Sequence, residues 1–152
     1  MSNNLICPTD GVQVNETKVR LIAGLVLTIA IVYFLTASLW AGSLMLPLLL
    51  LIDFGLRSST WGRYSPLGYV ADQLISAAKL PYKGTDLAPK RFAARIGLGF
   101  ALLIAGLQLA GISSLIPTAV LAVFAALEAG VGFCAGCYVY TFYVRLFPKA
   151  LN

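Results

Sequence analysis

The chain has 152 residues, 59% of them hydrophobic and only 11% charged, with a formal net charge of +5. A soluble domain carries roughly 25% charged residues, so this composition implies an integral membrane protein with no separate soluble enzyme domain. Histidine is absent, which removes the commonest general base and metal ligand. The chain also has no Gly-rich phosphate loop and no Ser-His-Asp set, so hydrolase and kinase chemistry is excluded.

Residues 1–18 are polar and do not form a signal peptide. Cys7-Pro8-Thr9-Asp10-Gly11 reads as a turn. Asn15 is a good helix cap, and Glu16 suits the positive end of a helix that follows. A first apolar span is expected over about 20–39, long enough for a hydrocarbon core of roughly 30 Å. A turn at Trp40-Ala41-Gly42-Ser43 leads to a short second span over about 41–56, with Pro47 near its start.

The central loop is polar, but Leu67, Val70, Ala71, Leu74, Ile75 and Ala78 recur at helical spacing within it. Ser65-Pro66 gives a cap and a first-turn proline. An amphipathic interfacial helix is therefore expected over about 65–80. A third span follows over about 92–111. Its small-residue stripe, Ala93, Gly97, Ala101 and Ala105, lets another helix approach closely. A fourth span over about 117–144, starting at Pro117, is read as one long helix that tilts or protrudes. The expected fold is all-α: a four-helix membrane bundle with an interfacial helix in the central loop, forming one domain over 1–152.

The cations orient the bundle. Lys18 and Arg20 precede the first span, seven Lys and Arg lie between the second and third, and Arg145 and Lys149 follow the fourth. The other two connections contain neither residue. The positive-inside rule then puts both termini and the long loop in the cytoplasm. This accounts for the basic balance without a nucleic-acid partner. Each half reads as a basic approach, a helix, a charge-free turn and a return helix, which suggests a parallel internal repeat.

Gly132-Phe133-Cys134-Ala135-Gly136-Cys137 carries the chemistry. On a helix, Cys134 and Cys137 share a face, and a Cys-x-x-Cys pair can supply a nucleophile or redox couple. The bland alternative is two small hydrophobes packed beside Gly132 and Gly136. Cys7 is the third thiol, on the cytoplasmic tail. A structural disulfide is not expected on a reducing side. Three cysteines could hold zinc or copper only with Asp, Glu or water as a fourth ligand, and their spacing resembles no finger pattern, so neither a metal nor a cofactor is expected. Glu128 lies inside the fourth span with no cation near it in sequence, and an intramembrane carboxyl is a functional candidate. Asp53 has Arg57 at i+4, a local ion pair. Arg20 and Arg91 are the cations best placed to activate a thiol.

Cys7-Pro8, Val14-Asn15-Glu16 with Arg20, Pro89-Lys90-Arg91-Phe92-Ala93 with Gly97, and Gly132 to Cys137 together resemble a bacterial membrane family defined by a domain of unknown function, number 4395. That family is similar in outline to four-helix membrane proteins of the DoxX type. The resemblance implies a thiol or sulfur context, a bacterial cytoplasmic membrane, and a thioredoxin-like or rhodanese-like cytoplasmic partner. The resemblance favours the thiol reading of Cys134 and Cys137, and the candidate site is Cys134, Cys137 and Cys7, supported by Glu128, Asn15, Glu16, Arg20 and Arg91.

Three function classes follow. The first is a membrane thiol protein that passes redox equivalents or sulfur through the Cys-x-x-Cys pair, by thiol–disulfide exchange or sulfur transfer. The second is a channel or transporter for a small sulfur species such as thiosulfate or sulfide. The third is a non-catalytic membrane assembly subunit, for which a homo-oligomer is one form.

Overall fold

The computed structural model describes residues 11–36, 44–132 and 135–146. The chain is mostly helical, and its elements follow one order twice. In the first half, strand β1 (Gln13–Asn15) leads into α1 (Glu16–Thr36), α2 (Met45–Ser58) and α3 (Pro66–Ala78). In the second, β2 (Gly84–Asp86) leads into α4 (Leu87–Leu109), α5 (Leu115–Val131) and α6 (Ala135–Leu146).

The packing repeats as well. α1 lies on α5 as α4 lies on α2, and α3 contacts α1 as α6 contacts α4. β1 and β2 pair antiparallel, with Val14 opposite Thr85 at the centre. The first residue of each long helix donates its N–H across the ribbon: Glu16 to the Lys83 carbonyl at 2.6 Å, and Leu87 to the Val12 carbonyl at 3.0 Å. This exchange of partners is what a two-fold repeat produces, and it gives the parallel repeat a physical form.

α1 and α4 are each long and apolar enough to cross a membrane, and α5 is a shorter apolar helix. The core between them holds Ile22, Val26, Phe54, Ala101, Ile104 and Leu121. The small-residue stripe of α4 has two partners. A methyl group on Gly97 would overlap the Phe54 ring of α2. Ala93 instead meets α6, where a methyl group on Gly136 would fall 2.6 Å from Ala93 Cβ and 2.9 Å from its Cα. A larger residue is disfavoured there because Ala93 Cβ, Cα and N are fixed by the helix and cannot rotate away.

α3 begins where its sequence indicates. Ser65 accepts the Gly68 N–H at 3.0 Å and Pro66 occupies the first turn. Buried Asp53 on α2 also holds this start. Its Oδ1 accepts the Leu67 N–H at 3.1 Å and the Ser65 hydroxyl, while Oδ2 faces Arg57 at 3.4 Å.

Two expectations need correction. The stretch 117–144 is not one helix. α5 ends at Val131, Gly132 takes the left-handed region with φ +70°, and α6 is a separate helix. Its course differs too: α6 crosses α4 near the start of α4, with Gly136 against Ala93 and Tyr143 stacked on Phe92 at 6.5 Å. Hydropathy is continuous through the break, because a left-handed glycine changes direction without changing polarity. The second correction is the β1–β2 ribbon, three polar residues a side, which no alternating pattern announces.

Candidate functional site

Every described lysine and arginine lies toward one end of the helices: the starts of α1 and α4, the ends of α2 and α5, and α3, α6 and their flanks. The opposite end instead carries an uncharged cluster, in which the Tyr33 hydroxyl meets Gln108 Oε1 and Ser114.

At the charged end, Arg20 reaches from α1 to the last turn of α5. Its Nε donates to the Ala129 carbonyl at 3.3 Å and its Nη2 to the Gly130 carbonyl at 2.5 Å. Helix C-terminal carbonyls lack partners within the helix, so Arg20 satisfies two of them and places its charge at the negative dipole end. A methyl group on Gly132 would lie 3.2 Å from Glu16 Oε1 and 3.8 Å from Arg20 Cζ. Glu16 in turn pairs with Lys83 at 2.8 Å.

Glu128 pairs with Lys90 of α4 at 2.6 Å, and the two side chains are only 14% and 10% exposed. The cation missing from the sequence neighbourhood of Glu128 comes from another helix. Asn15 Oδ1 accepts the Thr17 N–H at 3.0 Å, capping α1, and the Lys83 N–H at 3.3 Å.

Glu16, Arg20 and Glu128 therefore gather where α5 ends and α6 begins. Arg91 and Asn15 line a neighbouring cavity of about 420 Å³. Cys7 and Cys134 lie outside the described residues. The backbone of Cys137 is in the first turn of α6, and its side chain is not among those described.

Two cavities adjoin here. Among the described residues, the 420 Å³ cavity is lined by five cations, Lys18, Arg57, Arg63, Lys90 and Arg91, and by no acid. The second, of about 350 Å³, is lined mainly by apolar groups of α1, α2, α4, α5 and α6, including Phe54, Phe100, Leu121 and Phe124. Val19, Arg57, Lys90 and Ala94 line both.

A family model described as a domain of unknown function, DUF4395, matches residues 14–145. The chain belongs to the DUF4395 family. No curated protein and no solved structure matches it. The matched range takes in both halves of the repeat, both cavities and the break between α5 and α6. It carries no link to DoxX-type proteins. Within this DUF4395 chain, Lys90 is the residue that sequence reasoning missed. Its signal was the Lys90-Arg91 pair at the start of α4. Arg20 and Arg91 are each the fifth residue of their helix, one in each half of the repeat.

Proposed function

We propose that this DUF4395 protein is a four-helix integral membrane protein that exchanges thiol and disulfide through Cys134 and Cys137. α1, α2, α4 and α5 would be its spans, and α3 and α6 would lie at the cytoplasmic face. The membrane reading is supported by apolar side chains that the packing leaves outside: Leu35 is 63% exposed, Leu109 73% and Ile116 80%. Soluble proteins rarely present so much contiguous apolar surface. α5, with 17 residues, rises about 26 Å, near the roughly 30 Å core. The grouping of cations at one end supports cytoplasmic termini.

The thiol reading is carried by one observation: the apolar stretch breaks at Gly132 and a new helix starts at Ala135. Cys137 is an early residue of α6, and Cys134 lies between the two helices in sequence, outside the described residues. Helix starts and nearby cations favour the thiolate, the nucleophilic form, and Arg20 stands beside Gly132. The repeat adds support. By sequence position Cys134 corresponds to Ser65 of the first half, which accepts a backbone N–H in the first turn of α3. The acid that attends Ser65, Asp53 on α2, has only apolar residues at the matching level of α5, Leu121 to Ala126.

The exchange balances in two steps. The Cys134 thiolate attacks a partner disulfide, forming a mixed disulfide and releasing one partner thiolate. The Cys137 thiolate then attacks the Cys134 sulfur, leaving a Cys134–Cys137 disulfide and freeing the second partner thiol. Two electrons pass to the partner, and the reverse sequence returns them. A thioredoxin-like or rhodanese-like cytoplasmic protein that carries a disulfide of its own is the proposed counterpart, and Cys7, a single thiol, can enter only as one half of a mixed disulfide.

The transport reading for thiosulfate or sulfide draws on the basic cavity, but the cavity that continues from it is apolar and would not hydrate an ion. The test of exchange is trapping. A Cys137→Ser variant exposed to a cytoplasmic extract should accumulate a mixed disulfide on Cys134, and Cys134→Ser should accumulate none. Absence of any adduct on Cys134 would leave the protein as an assembly subunit.

A further inference from the structure

The two adjoining cavities have opposite chemistry and a shared boundary. In the basic cavity, Lys18, Arg63 and Arg91 stand with Arg57 and Lys90, and no carboxylate among the described residues lines it. Three of these cations have acidic partners: Lys18 with Asp72, Arg57 with Asp53, and Lys90 with Glu128. Even so, five cations line this cavity against three carboxylate partners, so more positive charge faces it than those partners offset. Arg63 sits over the Tyr64 ring at 5.3 Å, and its guanidinium fork is suited to a multi-oxygen anion.

Behind Arg57 and Lys90 the second cavity runs between α4, α5 and α6. Its lining includes Phe124 and Val139, which are 41% and 49% exposed on the outer surface. It therefore opens sideways onto the apolar face as well as toward the charged end. Each cavity falls in the size range of small-molecule sites.

We propose that the two cavities form one site for an anionic amphiphile of the phospholipid class. Its phosphate sits among Lys18, Arg63 and Arg91. Its chain passes Arg57 and Lys90, whose ion pairs neutralise the neck of the site, and enters the apolar cavity. A free oxyanion would use the first cavity alone and leave the second empty. A neutral lipid would use the second and leave the excess positive charge of the first uncompensated. Only a ligand with both parts accounts for the shared boundary. The site goes beyond the thiol reading and does not depend on it.

The test is binding to the purified full chain in a neutral detergent, with three probes: palmitoyl lysophosphatidic acid, monopalmitoylglycerol, and inorganic phosphate or thiosulfate. Lysophosphatidic acid should bind at least about tenfold more tightly than either of the others, since each lacks one half of the contact. Arg63→Gln lies on an exposed residue and should fold. It should weaken lysophosphatidic acid by about fivefold to tenfold and leave monopalmitoylglycerol unchanged. Val139→Trp fills the lateral opening from the surface and should weaken both lipids. Phosphate or thiosulfate binding as tightly as lysophosphatidic acid would overturn the proposal in favour of a plain oxyanion site. Monopalmitoylglycerol binding equally would reduce it to an apolar groove. Lysophosphatidic acid affinity unmoved by both substitutions would also overturn it.

Discussion

Lys90 and Glu128 meet at 2.6 Å between the first turn of α4 and the last turn of α5, 38 residues apart in sequence. The pair closes the charged end of the second half, with Lys90 lining both cavities and Glu128 the apolar one. Removing one partner from a largely buried pair strands the other charge. Glu128→Leu should therefore destabilise the protein by about 2–3 kcal/mol. Glu128→Gln should cost less, since the amide still accepts from Lys90. The double variant Lys90→Met, Glu128→Leu should cost less than the two single changes added. Detergent unfolding midpoints of the four proteins check this, and strict additivity would show that the pair is not coupled.

The break after α5 depends on Gly132. Alanine at φ +70° is strained, by about 1 kcal/mol, and its methyl would crowd Glu16. Gly132→Ala should lower stability by about 1–2 kcal/mol. It should also slow alkylation of the cysteines, by favouring a helix that runs through them. Stability lost without a change in thiol reactivity would separate the break from the chemistry.

Hydropathy and helical spacing made much of this molecule legible, and each failure has its own physical cause. α3 was readable from Ser65-Pro66 and the spacing of Leu67, Ala71 and Leu74, because capping and amphipathicity are local. The α5–α6 break was not, because Gly132 in an apolar run reads equally as a packing glycine. The Lys90–Glu128 pair was invisible for a different reason: it exists only once α4 and α5 lie together. The ribbon of Gln13–Asn15 with Gly84–Asp86 is too short and polar to show a strand period. Glu16, Arg20 and Glu128 were each picked out singly, and the fold supplies the reason they belong together.

Gly136 offers a test of the α4–α6 crossing. A methyl there would fall 2.6 Å from Ala93 Cβ, so α6 must move outward. Gly136→Ala should destabilise by about 1–3 kcal/mol, despite alanine's better helix propensity. Ala93→Gly should restore part of the loss in the double variant. Thermal unfolding with no such rescue would contradict the contact.

Arg20 should prove hard to replace. Lysine keeps the charge but lacks the fork that reaches both the Ala129 and Gly130 carbonyls. Arg20→Lys should lose about 1 kcal/mol and Arg20→Met about 2 kcal/mol. Faster hydrogen exchange at the end of α5 is the specific sign, and unchanged exchange there would contradict the capping role.

The most direct test of the thiol account is the alkylation rate of the native protein in bilayers with a charged, membrane-impermeant reagent, resolved by mass spectrometry. The account predicts that Cys134 reacts from the cytoplasmic side only, at neutral pH, and several-fold faster than an unstructured cysteine peptide. Both Cys134 and Cys137 remaining unlabelled until the protein is denatured would contradict it.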